Sequence, residues 1–282
     1  MPATSNPALG IIGALVATIA AALPLSVGAC GTSDALCAIE GGTYRAALPE
    51  ASEAAPFVVF LHGYGASSGT PMGRETLLVP FLARGIAVIA PEGLRWNGDG
   101  GRDWGVNDGH DWPRDDKAFI AAVAQDAAER FGLDPSQMLI AGYSRGGSMA
   151  WDFACARPDL AHALAAQSGA FWEPMADTCE APVPVFHSHG MADRMVPFEG
   201  RSLTWDGESF TQGNVMKAID VWREVNGCRG PSQFEDEVGH WTKRWECSKA
   251  PITLSLGPWG HNRQPDWADR TAAWFASLIA AE

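Results

Sequence analysis

Positive charge is scarce in this chain. Its 282 residues carry 20 Lys and Arg against 33 Asp and Glu, a formal net charge of −13. Such a surface repels nucleic acid and anionic lipid, and no basic patch offsets it, so a polyanionic partner is disfavoured. No internal repeat and no low-complexity tract occurs, which removes solenoid and disordered architectures. Metal signatures are missing too. The glycine-rich acidic stretch 96–112 lacks the spacing and closing Glu of an EF-hand, and no carboxylate–histidine signature surrounds His187 and His189. Neither metal nor cofactor is expected.

Apolar residues are plentiful, at 46%. The first such stretch reads as an address. Residues 8–27 are small and apolar with no charged side chain, and end Val27-Gly28-Ala29. That suits signal-peptidase cleavage before Cys30 and a secreted or periplasmic protein, with residues 1–29 as signal peptide. Val27-Gly28-Ala29-Cys30 also resembles a bacterial lipobox, which would make the product a lipid-anchored lipoprotein. An uncleaved anchor is the remaining alternative, since the stretch is long enough to span a bilayer. Only these two alternatives bring the chain to a membrane. Residues 30–282, roughly 250 in all, suit one large α/β domain. Six cysteines in an exported chain suggest disulfides, and sequential pairing is the simplest connectivity: Cys30 with Cys37, Cys155 with Cys179, Cys228 with Cys247.

Within that span strands and helices alternate. Short β segments fill 37–49, and buried strands are predicted over 57–61, 86–90 and 163–167. Helices are predicted over 75–84, 116–130, 213–225 and 267–280, the first two ending at Gly85 and Gly132. Alternation of this kind argues a mostly parallel central sheet flanked by helices.

The most informative stretch is Gly142-Tyr143-Ser144-Arg145-Gly146. It follows the apolar run Met138-Leu139-Ile140-Ala141 and precedes a helix. A serine on such a strand–turn–helix corner has its hydroxyl exposed, and the helix N-terminus beside it offers free N–H groups. Asp193 follows the run 184–190, and His261 follows 252–256. Ser144, Asp193, His261 is the order of an α/β-hydrolase triad, each member just past the C-terminal end of a strand. In those roles Ser144 is the nucleophile, His261 its base, and Asp193 the group that fixes the imidazole tautomer. The glycine-bracketed turn His62-Gly63-Tyr64-Gly65 suits one oxyanion donor, the Tyr64 N–H, with the Arg145 N–H as the second.

Leu61-His62-Gly63-Tyr64-Gly65, Gly142-Tyr143-Ser144-Arg145-Gly146-Gly147, Ser188-His189-Gly190-Met191-Ala192-Asp193 and Gly260-His261 together resemble the exported feruloyl esterase and polyhydroxybutyrate depolymerase family. Arg157-Pro158-Asp159 and the paired cysteines add to the likeness. It covers nearly all of the chain after the signal. The resemblance implies an α/β-hydrolase fold and hydrolysis of carboxylic esters, feruloyl or aryl esters or short hydroxyalkanoate oligomers, through an acyl-enzyme on Ser144. It implies Asp193 and His261 as the other catalytic residues and Tyr64 and Arg145 at the oxyanion hole. One departure loosens the substrate inference. The family often carries Gly-His-x-Trp-Pro around its histidine, where this chain has Gly260-His261-Asn262-Arg263-Gln264-Pro265.

Other residues have plainer readings. His187 and His189 alternate on a strand and support its end; His62 braces the oxyanion turn. His110, His162 and His240 have no evident partners and read as surface or packing residues. Asp177 and Asp206 are weaker candidates for the triad acid, since neither directly follows the strand that ends near His189. The stretch 96–112 leaves the end of the 86–90 strand and should overhang the site. Its Trp96, Trp104 and Trp112 are read as a substrate wall, the alternative being a loop packed by its own tryptophans. The sequence runs to Glu282 without a Ser/Thr/Pro-rich linker to a polymer-binding module, so soluble esters or short oligomers are expected rather than crystalline polyester. Acyl transfer to an alcohol, or a binding protein with a silent triad, are the rival uses of the same residues.

Overall fold

Phe57-Val58-Val59-Phe60-Leu61 is buried at every position, as a strand covered on both faces must be. The computed structural model containing it describes residues 1–2, 30–95, 101–205, 207–230, 232–237, 239–262, 264 and 266–281. Residues 3–29 of the proposed signal segment and Trp96 lie outside the described residues. Among these, no helix is long and apolar enough to cross a membrane.

In chain order the elements are β1 (Cys37–Ile39), β2 (Gly42–Ala47), β3 (Phe57–Leu61), α1 (Gly69–Met72), α2 (Glu75–Leu82), β4 (Ala87–Pro91), β5 (Leu94–Arg95), β6 (Arg102–Asp103) and α3 (Asp116–Phe131). Next come β7 (Met138–Tyr143), α4 (Arg145–Ala156), β8 (Ala163–Gln167), β9 (Val185–Gly190), β10 (Arg201–Trp205) and β11 (Glu208–Gln212). The last are α5 (Val215–Val225), β12 (Gln233–Glu237), β13 (His240–Trp245), β14 (Ile252–Gly257) and α6 (Trp267–Ile279).

Ten strands form the main sheet in the order β1-β2-β4-β3-β7-β8-β9-β14-β13-β12. The six central strands, β4 to β14 in that order, are parallel, and antiparallel pairs flank them. This is the α/β-hydrolase arrangement of a mostly parallel sheet between helices. Side chains alternate across it with period two. Phe57, Val59 and Leu61 join a core with Ile120 of α3, Trp151 of α4 and Ile219 of α5. Val58 and Phe60 face the opposite way, into a core with Phe81 of α2 and Phe275 of α6. β7, β9 and β14 therefore deliver their C-terminal ends, and whatever follows them, to one edge.

Helix α3 runs from an Asp115 cap, whose side chain accepts from the Ala118 amide, to a left-handed Gly132. Two hairpins escaped the sequence reading. β10 pairs with β11 and forms a separate two-stranded ribbon. β12 and β13 extend the sheet at its edge, where charged side chains are tolerated because one side faces water. The cysteines form three disulfides, Cys30–Cys37, Cys155–Cys179 and Cys228–Cys247. The last closes the base of the β12–β13 hairpin.

Candidate active site

Ser144 joins β7 to α4 with φ 56° and ψ −124°, a conformation that side-chain-bearing residues rarely adopt. The corner is tight enough to exclude side chains on both flanks. A Cβ on Gly142 would lie 2.2 Å from the Gly146 carbonyl oxygen, and one on Gly146 would lie 2.2 Å from that of Leu61. The strain holds the hydroxyl at the head of the sheet. Arg145 opens α4, and the first-turn amides of a helix have no intrahelical acceptor.

Asp193 sits in the loop after β9. Its Oδ1 accepts the amides of Met195 at 2.8 Å and Val196 at 2.9 Å. Its Oδ2 takes His261 Nδ1 at 2.7 Å, and His261 Nε2 lies 2.9 Å from Ser144 Oγ. With Nδ1–H donated to the carboxylate, Nε2 is left as the acceptor for the serine proton. Burial pushes the Asp193 carboxyl up, but the His261 and Val196 hydrogen bonds outweigh it and hold the group below the ordinary carboxylate range. The Tyr143 hydroxyl donates to the His261 carbonyl and steadies the loop after β14.

Behind this chain stand two buried imidazoles. His189 Nε2 donates to the Val196 carbonyl at 2.8 Å, so its Nδ1 is free to accept from His187 Nε2 at 3.1 Å. Burial lowers the pKa of both and keeps them neutral. They brace the loop that carries Asp193. Among the described residues, no group of three or more His, Cys, Asp or Glu is placed to hold a metal.

The His62-Gly63-Tyr64-Gly65 turn follows β3 and lies against Ser144: a Cβ on Gly63 would sit 3.4 Å from Ser144 Cβ. His62 accepts the Gly93 amide at Nε2, 3.0 Å, and donates from Nδ1 to the Gly63 carbonyl at 2.9 Å. The Gly65 amide donates to the Arg102 carbonyl at 2.9 Å.

A cavity of about 190 Å³ opens beside Ser144 and His261. Tyr64, Trp112, Trp172, Leu203 and Phe210 give it largely apolar walls. Trp112 thus lines the cavity. Trp104 does not. It is fully buried, and its indole Nε1 donates to the His62 carbonyl at 2.8 Å, so it underpins the turn at 62–65 instead of touching the cavity. Its ring also packs on His62, with centroids 5.0 Å apart. Trp104→Ala is therefore expected to lower unfolding free energy by about 3–5 kcal/mol. Denaturant titration measures this. A change in aryl-to-acetyl ester preference without loss of stability would return Trp104 to the substrate wall.

The Arg145 side chain was the larger omission. Its Nε and Nη2 meet Asp103 Oδ1 and Asp108 Oδ2, both at 3.0 Å, and its guanidinium lies over the rings of Trp172 at 4.4 Å and Trp112 at 5.1 Å. A buried cation is thereby neutralised and sandwiched, and it orders both tryptophans. Burial raises the Asp103 pKa, and Asp152, enclosed on α4 against the Asn107 amide, is pushed up to about 7.

Trp172 comes shortly after β8, the same strand-end position that singled out Ser144, Asp193 and His261. Leu203 and Phe210 come from β10 and β11, and the Asp206-Gly207 dipeptide between them in sequence is a hairpin signal. His110 has partners after all. It stacks on Phe210 with centroids 4.3 Å apart and bonds Glu208 at 3.1 Å, joining the tryptophan loop to the ribbon. His240 also has partners, in Ser255 and Asp266. Asp177 is exposed and not part of the cavity wall. Asp206 lies outside the described residues.

Comparison with known proteins gives a consistent picture. The phospholipase/carboxylesterase family pattern matches residues 44–206, a span that includes Tyr64, Ser144 and Asp193. A probable feruloyl esterase C of Aspergillus terreus is 27% identical over 240 residues, covering 80% of this chain and 78% of that protein. Its counterpart in Aspergillus niger is 26% identical over 187 residues, 65% of this chain and 60% of that protein. Feruloyl esterase B of Piromyces equi is 24% identical over 214 residues, 72% of this chain. The match spans less than two thirds of these last two proteins, 60% and 38% of their lengths. Of solved structures, an acetyl xylan esterase from Aspergillus awamori superposes with a TM-score of 0.62 at 17% identity, over 83% of this chain and 94% of that one. A Bacillus cereus carboxylesterase gives 0.55 at 13% identity over the same shares. Both likenesses concern the fold.

Proposed function

The chain belongs to the phospholipase/carboxylesterase family of α/β-hydrolases, and from that premise we propose that it is an exported serine esterase acting through an acyl-enzyme on Ser144. The observation that carries this reading is the unbroken Ser144–His261–Asp193 hydrogen-bond chain at the mouth of an apolar cavity. As Ser144 Oγ attacks the ester carbonyl carbon, its proton passes to His261 Nε2, and Asp193 stabilises the resulting imidazolium. The Tyr64 and Arg145 amides receive the oxyanion; one such donor contributes roughly 3 kcal/mol to the transition state. Collapse expels the alcohol, which takes the proton from His261. Water, deprotonated by the same nitrogen, then releases the acid and restores Ser144.

The walls suit the proposed substrates. Trp112, Trp172 and Phe210 offer flat apolar surface to an aryl or feruloyl group, or to a short hydroxyalkanoate oligomer. Three disulfides support passage through an oxidising compartment. A fluorophosphonate probe tests the core of the proposal. It should add covalently and stoichiometrically to the folded protein, and peptide mass analysis should find it on Ser144. A folded protein that takes up no probe, or takes it up elsewhere, defeats the reading.

A further inference from the structure

The cavity walls hold two arginines of opposite circumstance. Arg145 is spent internally: Asp103 and Asp108 neutralise it and two tryptophans cover it. Arg201, on β10, is exposed and lines the same cavity. Its Nε donates to Gln212 Oε1 at 3.1 Å, directly across the ribbon, and its Nη2 to the Met195 carbonyl at 2.8 Å. Both acceptors are neutral. Among the described residues no carboxylate lies within ion-pair distance of Arg201. Gln212 is itself buried, so it fixes the guanidinium in place.

Arg45 too is held by neutral oxygens, the Ser33 and Asp34 carbonyls, but it does not line the cavity, and Arg201 does. Acidic residues outnumber basic ones 33 to 20, and Arg84, Arg102, Arg114, Arg130, Arg157, Arg223 and Arg244 all meet a carboxylate. A cation held in place by neutral oxygens, beside a nucleophile in a largely apolar cavity, keeps its charge for something that enters. Carboxylate is the natural counterpart of a positioned guanidinium, which can give it two parallel hydrogen bonds.

We propose that Arg201 is a specificity-determining residue and that the preferred esters carry a free carboxylate, which this guanidinium holds while Ser144 attacks the ester carbonyl. The inference rests on the esterase reading of the site.

The experiment compares matched esters. Monomethyl adipate is set against methyl hexanoate, which places the charge on the acyl side, and 4-acetoxybenzoate against methyl 4-acetoxybenzoate, which places it on the alcohol side. In at least one pair the ratio of charged to neutral kcat/KM should drop at least tenfold in Arg201→Gln and be largely retained in Arg201→Lys. The ratio matters because Arg201 also touches the Met195 carbonyl, beside the amides that hold Asp193. Damage through that loop would slow both members of a pair alike and leave the ratio unmoved. An unmoved ratio in both pairs overturns the proposal, even if neutral esters are turned over well. Calorimetry on Ser144→Ala keeps the question open to measurement if turnover fails altogether. Arg201→Gln in that background should weaken binding of 4-acetoxybenzoate and monomethyl adipate at least tenfold relative to the neutral partners. Equal binding in the two backgrounds overturns the proposal and leaves the esterase reading to the probe experiment.

Discussion

Ser144→Ala should reduce kcat for ester hydrolysis by about six orders of magnitude, because removing the proposed nucleophile disables the whole hydrogen-bonded unit. What remains should come from binding and the two amides proposed for the oxyanion, and it should still exceed the rate in water by about a thousandfold. His261→Ala should be comparably damaging, and the double variant little worse than either. The fold should survive. Ser144 is only partly buried, and the backbone bonds of the corner, its amide to the Gln167 carbonyl and its carbonyl to the Ser148 amide, are untouched. Ser144→Gly sharpens the test. At φ 56° glycine relieves a strain that serine and alanine both bear, so this variant should match or exceed wild-type stability while being equally inactive. Steady-state kinetics with an activated acetyl ester and thermal melts of the three proteins supply the readout. Turnover within tenfold of wild type in folded Ser144→Ala would remove Ser144 from the mechanism.

The reason these residues could be singled out from sequence is local. A glycine-flanked serine between an apolar run and a helix is a short-range pattern, and the strand-end positions of Asp193 and His261 follow from the same rule applied twice. The parallel sheet was legible for a similar reason. Strands buried on both faces, such as 57–61 and 163–167, are continuous apolar runs bounded by turn residues.

What escaped is what long-range contact decides. Nothing near Trp104 in sequence distinguishes it from Trp112; the difference is that its indole finds the His62 carbonyl, a partner 42 positions earlier. Arg145 was read for its amide alone, because its side-chain partners, Asp103 and Asp108, come from a loop whose course the sequence does not define. The β10–β11 ribbon was missed although Asp206-Gly207 announced a turn. Its strands alternate weakly, and only tertiary packing makes Leu203 and Phe210 a wall. Fold and candidate nucleophile were therefore accessible from local pattern, whereas the cavity's lining was not.

Asp193→Asn carries the second large effect, a loss of about four orders of magnitude in kcat with the substrate cavity intact. The argument turns on which atom can stand where. Asp193 uses one carboxylate oxygen to accept the Met195 and Val196 amides and the other to accept His261 Nδ1–H. An asparagine has a single acceptor oxygen. If that oxygen keeps the two amides, the NH2 group faces His261 and can only donate, which places the imidazole proton on Nε2. His261 then has no lone pair for the Ser144 proton. If the side chain turns the other way, its NH2 opposes two N–H donors and the loop loses both anchors. Either outcome disables the base while leaving Trp112, Trp172 and Phe210 in place, so KM should change far less than kcat. Stability should shift as well. The carboxyl of Asp193 is held below its ordinary pKa, so its contribution to stability is complete above the unfolded-state value and fades as pH falls through the folded one. That acid-dependent share should be missing from the variant's stability profile. A kcat loss of less than about tenfold, with hydrolysis still dependent on Ser144, would show that His261 is oriented by something other than Asp193, and the neighbouring His189, whose Nε2 lies 3.8 Å from the same carboxylate oxygen, would be the first residue to substitute next.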